Sequence, residues 1–515
     1  MSQKNKNIIE VMTMDMKDAI KQLNDIDNKL HAINHAQAII YWDAATGAPK
    51  NSVEGRANTL SILTGEYYQT LVNETFDNLL KELAEQKDAL DFVTLRKVEE
   101  FRNEYDKIAK IPVDMYKAYT ADQAKASVAW EEAKEKSDFS IFAPHLEKLV
   151  DYNKKFIEYR GFQKHPYNTL LGDYEKNLTT DELDEFFSEL KHTIVPLVTK
   201  INASHVKVNN DFTKLSYPID KQEALNKDLL KAIGFDMDSG IMAKSVHPFT
   251  TNFNRHDVRV TTRYFEHNPF SAIYSTIHEG GHGIYEQNIG EALDFSTLGT
   301  GTSMGIHESQ SRFFENIIGR SYPFMAYFFP IFKEAFPENL KDLSLYDFYL
   351  AVNKSEQSLI RIEADELTYS LHIMIRYEIE KLLIENKVLV KDLPALWNKK
   401  YEEYMGLIPE NDAEGVLQDV HWSEGLFGYF PSYALGSAYA SQFAHAMRKE
   451  FDLSEDLKKG DFSRIKDWLR THIHQHGRLL NPSEIIEKTT GEPFNPKYYT
   501  EYLKEKYSEI YKLKD

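Results

Sequence analysis

The chain has 515 residues, 42% of them hydrophobic and 27% charged, enough apolar material for a large buried core. A formal net charge of −19 argues against nucleic acid or an anionic membrane as partner, because both need a positive footprint. The absence of cysteine removes disulfides, thiolate metal sites and thiol nucleophiles together.

The first twenty residues, MSQKNKNIIEVMTMDMKDAI, lack the apolar run and small-residue cleavage site of a signal peptide. No stretch approaches the roughly 18 uninterrupted apolar residues that a membrane span needs. The expectation is a soluble, cytoplasmic protein in which the N-x-S/T triplets at Asn73, Asn177 and Asn202 carry no glycan. Length alone would suggest several domains. No linker-like composition interrupts the chain, so a single large domain over 1–515 with lobes is expected. Most of it reads as helix: residues 74–87, 180–194, 358–387 and 461–474 carry apolar side chains at spacings of three and four, with charges between. One region departs from this pattern. Residues 256–266, HDVRVTTRYFE, are rich in Val, Thr and aromatics and read as a short β-strand, paired with 248–253. Pro269 then opens a helix expected near 270–288.

That helix carries His278-Glu279-Gly280-Gly281-His282, a match to H-E-x-x-H. Residues four apart share a helix face, so both imidazoles can bind one ion, while Glu279 is rotated by one residue into reach of a water proton. Zinc held by two His and one carboxylate keeps its fourth position open and lowers the pKa of water there to about 7. Two solvated histidines on a surface helix would give the same pattern. The two glycines speak against that, since each costs about 1 kcal/mol inside a helix and a broken local rule points to a site, such as a close substrate approach. The third ligand is expected to be Glu308, in Gly305-Ile306-His307-Glu308-Ser309-Gln310-Ser311-Arg312, on a helix beginning near His307. Arg312, one turn on, is placed to orient that carboxylate, although an ordinary i,i+4 surface pair would look alike. His307 is the rival ligand, pointing about 100° away from Glu308.

HEGGH followed by GIHESQSR resembles the carboxypeptidase Taq family of zinc metallocarboxypeptidases. The resemblance extends upstream to His247-Pro248-Phe249 and Asp257-Val258-Arg259-Val260-Thr261, with Tyr41-Trp42-Asp43-Ala44-Ala45-Thr46 near the start. Downstream it includes Ile360-Arg361-Ile362-Glu363-Ala364-Asp365 and Gly415-Val416-Leu417-Gln418-Asp419-Val420-His421-Trp422. These motifs, in order, span nearly the whole chain. The resemblance implies a mostly α-helical, two-lobed peptidase fold with a long central groove, shared with neurolysin and angiotensin-converting enzyme; the strand pattern at 248–266 adds the expectation of a small β-sheet beside the active site. The resemblance also implies release of C-terminal residues from peptides with a free C-terminus, one Zn2+ per subunit with Co2+ as a substitute, and a homodimer.

On the same analogy, Tyr429 donates to the oxyanion of the tetrahedral intermediate and His421 assists, with Tyr433 as the fallback donor. A free C-terminal carboxylate calls for a guanidinium. Arg361 is the first choice, although a helical salt bridge to Asp365 would also account for it. Arg259 and His247 come next, as groups that grip the substrate or close the groove. Two competing readings remain: an endo-acting zinc oligopeptidase on the same scaffold, without the carboxylate clamp, and a helical binding protein whose HExxH is accidental.

Overall fold

The apolar three-and-four spacing becomes helix along most of the chain in the computed structural model, which describes residues 3–513, with side chains from residue 16 onward. The first four helices are α1 (Gln3–Thr46), α2 (Val53–Leu71), α3 (Glu74–Glu85) and α4 (Phe92–Ala109). They are followed by α5 (Val113–Lys136), α6 (Phe139–Arg160), α7 (Tyr167–Leu171), α8 (Thr180–Asn202) and α9 (Ile219–Ala232). Polar caps start several of them: the Asn73 side chain accepts from Phe76 N at the head of α3, and Thr179 and Glu182 form a reciprocal capping box at α8.

Three strands then appear, β1 (Gly240–Lys244), β2 (Thr250–Asn254) and β3 (Asp257–Thr262). The order is β1-β3-β2, with β1 parallel and β2 antiparallel to β3, so the expected hairpin is present but belongs to a three-stranded sheet. The strand β1 went unseen in the sequence because it is short and mixes one glycine with apolar residues, without the alternation that marks a half-buried strand. β3 buries Val258, Val260, Thr261 and Thr262 against its neighbours.

Beyond the sheet lie α10 (Pro269–Gln287) and α11 (Met304–Arg312), the latter running into a single π-turn at Phe313–Ile318. The remaining helices are α12 (Tyr322–Ala335), α13 (Pro337–Leu340), α14 (Leu345–Val352), α15 (Tyr369–Ile384), α16 (Leu393–Met405), α17 (Pro431–Glu450), α18 (Leu453–Lys459), α19 (Ser463–His472), α20 (Pro482–Thr490) and α21 (Lys497–Tyr511). The helix expected over 358–387 is shorter than its pattern. Residues 361–363 form a 3-10 turn and α15 starts only at Tyr369, because Asp365 folds back to accept hydrogen bonds from Leu367 N and Thr368 N.

Among the described residues the apolar side chains gather in two clusters. The larger runs from Ala126 to Tyr511 and the smaller joins α1, α2, α3 and α4 through residues such as Leu23, Leu71, Phe76 and Phe101. Asp27 ties α1 to the main body by accepting from Thr297 N at 2.8 Å. No helix among the described residues is long and apolar enough to cross a membrane.

Candidate metal centre and active site

α10 begins where expected, with Pro269 in its first turn and the Asn268 side chain accepting from Ser271 N. It is buried on nearly every side, including Ile273, Ile277, Ile284 and Tyr285, which fixes its rotation. His278 and His282 stand one turn apart, and α11 brings Glu308 to them. α11 begins at Met304, three residues before the expected start, with Ser303 as its cap. One ligand atom from each of His278, His282 and Glu308 lies within 4.8 Å of the other two. Nε2 of His278 and Nε2 of His282 are 3.7 and 3.6 Å from the same oxygen, Glu308 Oε2. These separations exceed hydrogen-bond length. They leave a gap edged by two imidazole nitrogens and a carboxylate oxygen, a donor set that suits a divalent metal.

The opposite ring nitrogens are all engaged. His278 Nδ1 meets Glu315 Oε2 at 2.8 Å. His282 Nδ1 meets His307 Nδ1 at 2.7 Å, and His307 Nε2 meets Glu286 Oε1 at 2.7 Å. An arrangement with N–H on Nδ1 of both His278 and His282 satisfies every contact and leaves each Nε2 lone pair facing the gap. Glu286 is itself pinned by Asn252 Nδ2 at 2.7 Å, Thr300 Oγ1 at 2.8 Å and Gly301 N at 3.0 Å. Arg312 donates through Nε to Glu308 Oε1 at 2.7 Å and through Nη1 to Glu315 Oε2 at 3.1 Å, the orienting contact its spacing suggested. Burial opposes ionisation of Glu308 and Glu315, but Arg312 and the histidines outweigh it, holding Glu308 far below the usual carboxylate range and Glu315 down to about 2. Burial drives His282 down to about 4, in keeping with a neutral ligand imidazole.

Glu279 points away from its flanking histidines toward the sheet. Thr250 Oγ1 on β2 donates to Glu279 Oε2 at 2.6 Å, and burial raises this carboxyl above its ordinary range. A second cluster stands beside the candidate ligands. His421 Nε2 pairs with the Tyr433 hydroxyl at 3.1 Å, and the Tyr429 ring lies 5.2 Å from that of Tyr433 and 5.6 Å from that of His421. Burial and the nearby Glu308 charge push the Tyr429 hydroxyl up to about 12, while burial holds His421 neutral by lowering it to about 3. Tyr369 links the clusters: the Arg312 guanidinium lies 4.3 Å from its ring centroid, and its hydroxyl accepts from Arg361 Nη1 at 2.9 Å.

A candidate metal-ligand triad, an adjacent carboxylate and a tyrosine–histidine cluster thus coincide on one helical scaffold. The family model described as carboxypeptidase Taq (M32) metallopeptidase matches residues 22–507. The chain belongs to this family. It is 48% identical over 496 residues to Carboxypeptidase 1 of Bacillus subtilis strain 168, covering 96% of this chain and 99% of that protein. It is 36% identical over 499 residues to Thermostable carboxypeptidase 1 of Pyrococcus furiosus, covering 95% and 98%. Among solved structures it is similar to the M32 carboxypeptidase of Deinococcus radiodurans R1, with TM-score 0.93, 34% identity and coverage of 96% and 100%. It is also similar to Trypanosoma cruzi metallocarboxypeptidase 1, with TM-score 0.92, 32% identity and coverage of 95% and 99%.

The other residues singled out within the M32 motifs lie in different settings. Arg361 is in the 3-10 turn, not in a helix, and its partner is Asp419 rather than Asp365: Nε donates at 3.1 Å and Nη2 at 2.9 Å to Asp419 Oδ1. Arg259 forms a bidentate pair with Asp257 at 2.8 Å and lies over the rings of Phe253 and Trp42, which ties β3 to α1. His247 is exposed on the turn before β2, and its ring makes no hydrogen bond among the described residues.

The glycines of the M32 helix serve packing, not substrate approach. A Cβ on Gly281 would sit 2.8 Å from Gln310 O and 2.9 Å from Ser311 Cα, and one on Gly280 would meet Leu230 and Ile233. Sequence reasoning missed Glu315 as the partner of His278 and Glu286 as the partner of His307, and weighed His307 only as a rival ligand. A signal existed for two of them. Glu315 is seven residues after Glu308 and Glu286 is four after His282, spacings that share a helix face.

Proposed function

We propose that the chain holds one zinc ion on His278, His282 and Glu308, and uses Glu279 as general base and acid in removing C-terminal residues from peptides. Family membership makes the chain a metal-dependent carboxypeptidase, a hydrolase of peptide bonds. The endo-acting alternative is not favoured. The observation that carries the zinc reading is the convergence of two imidazole nitrogens and one carboxylate oxygen within 4.8 Å, with each imidazole's far nitrogen held by its own partner. That closed set of nitrogen and oxygen donors, without sulfur, suits zinc and accommodates cobalt.

A bound metal supplies a Lewis acid that lowers the pKa of water and polarises the scissile carbonyl. Glu279, braced by Thr250, takes the water proton as attack proceeds and delivers it to the leaving amine nitrogen. Tyr429 donates its hydroxyl hydrogen to the oxyanion, and His421, kept neutral and paired with Tyr433, supports the same region. Arg361 keeps a further N–H on each of Nη1 and Nη2 beyond its bonds to Asp419 and Tyr369, and these are what it offers a terminal carboxylate. Arg259 and His247 border the sheet as groups that contact the peptide or close the groove. The whole chain acts as one catalytic domain, with α1–α4 as a lobe. Cytoplasmic residence accords with the absence of cysteine. Assembly as a homodimer rests on the family resemblance.

The test combines metal analysis of purified protein with mass spectrometry of one peptide, presented with a free and with an amidated C-terminus. One equivalent of zinc and a ladder from the free peptide alone are expected. Internal cleavage of both peptides would overturn the exopeptidase reading, and protein purified without stoichiometric metal that zinc fails to activate would overturn the ligand set.

A further inference from the structure

The segment carrying His421 and Tyr429 has little regular structure of its own, only a 3-10 turn at Val420–Trp422 before α17. Something else must hold it. Beneath it, Glu380 on α15 is completely buried and accepts hydrogen bonds from four directions. Its Oε1 takes Trp422 Nε1 at 2.9 Å and Arg376 Nε at 3.0 Å, while Oε2 takes Gly428 N at 2.9 Å and the Tyr167 hydroxyl at 2.7 Å. Trp422 is the neighbour of His421 in the chain, and Gly428 is the neighbour of Tyr429. One carboxylate therefore clamps both ends of the segment. Arg376, also fully buried, reinforces the clamp by lying 3.5 Å from the Trp422 ring centroid and 4.6 Å from that of Phe430.

The clamp has no slack. Gly428 has φ +88°, and a Cβ there would stand 2.7 Å from the carbonyl carbon of Leu170, so the backbone is pressed against the end of α7. A glutamine amide offers one acceptor oxygen to these four donors, so one pair is left buried without an acceptor, which favours displacement of the loop that ends at Gly428. A displacement there moves Tyr429 directly.

We propose that Glu380, backed by Arg376, is a positioning residue for the reaction: it fixes where the Tyr429 hydroxyl and the His421 ring face the developing oxyanion. It touches neither substrate nor metal. The proposal rests on the reading of Tyr429 as oxyanion donor. Displacement of a donor by about 1 Å can cost up to about a hundredfold in rate.

The test uses zinc-loaded Glu380→Gln, Trp422→Phe and Tyr429→Phe enzymes, with kcat, KM, metal content and inhibition by a phosphinate peptide whose tetrahedral oxygens imitate the attacked carbonyl. For Glu380→Gln, a kcat loss of about tenfold to a hundredfold is expected at nearly unchanged KM and metal content, with the phosphinate weakened by a similar factor. Trp422→Phe, which keeps the Arg376–Glu380 pair, should show a smaller loss of the same kind, and it decides the matter if the glutamine variant does not fold. A kcat per folded, metal-loaded molecule equal to that of the native enzyme, with only a lowered Tm, would reduce Glu380 to a structural residue and overturn the proposal. Full activity in Tyr429→Phe would overturn it differently, by removing the donor reading beneath it.

Discussion

Glu279 answers to two sets of neighbours at once. Thr250 holds one oxygen at 2.6 Å, and the carboxylate stands near enough to His278 and Glu308 for their charges to act on it. Glutamine keeps the size, the Thr250 bond and the metal ligands, and loses only the capacity to carry a proton. Glu279→Gln is therefore expected to bind metal as the native enzyme does and to lose about a hundredfold or more in turnover, the usual scale for a general base. Parallel metal analysis and initial-rate assays check this; near-normal rates with metal present would take Glu279 out of the chemistry. Glu315 and the His307–Glu286 pair act in the same way on His278 and His282, holding the far nitrogen of each ring and so its orientation toward the gap.

The elements matter through how closely they approach. α10 and α11 come within backbone contact at Gly281, and α17 comes equally close at Gly436, where a Cβ would lie 2.6 Å from Glu308 Cβ. Glycines cost helix propensity, about 1 kcal/mol each relative to alanine. Here they permit a helix spacing that places Glu308 opposite the two histidines. Gly281→Ala would recover the propensity term but drive its methyl into the main chain of α11, which cannot swing aside like a side chain. A net destabilisation of about 1–3 kcal/mol is expected, together with weaker metal binding as Glu308 is pushed off the gap. Thermal melts and a competitive zinc titration would read the two effects; a more stable variant with native affinity would show the close approach to be dispensable. The π-turn after α11 belongs to the same scale, since it carries Glu315 to His278 without ending the helical run.

For the molecule as a whole, burial of ionisable groups sets its response to acid. His372, His421 and His474 are each held down to about 3 by burial. When the pH falls through 6.5, the unfolded chain takes up protons that these folded imidazoles refuse, so stability is lost as acidity rises. Glu175, raised by burial to about 7, runs the other way between 4.5 and 7, and burial also raises Glu279, Asp365 and Glu424, so the contribution of an imidazole is read by replacing it alone. Replacing one of the three should flatten the slope by about one proton, or about 1.4 kcal/mol per pH unit. His474→Gln is the suitable change, because among the described residues its ring bonds Gln310 alone, at 2.9 Å. Urea unfolding of both proteins from pH 7 to pH 5 measures it; parallel curves would mean that His474 is protonated in the folded state.

The sequence by itself determined the chemistry that depends on spacing along one element. His278 and His282 four apart, Glu279 between them, Arg312 one turn past Glu308, and a strand read over 256–266 that forms at 257–262 were all legible, because helix and strand periods are local properties of the chain. The ordered motifs gave the family, which the matched model over residues 22–507 bears out. What only the tertiary structure decided are contacts across long separations: Asp419 rather than Asp365 beside Arg361, β1 paired with β3, Thr250 on Glu279, and Glu380 under Trp422 and Gly428. The glycines were legible as anomalies but misread as room for substrate, since only the packed helices show what would occupy the space of a Cβ. The division has a physical cause. Periodicity fixes which face a residue occupies, whereas the partner on the facing element depends on how buried charges and backbone groups across the whole core find their mates.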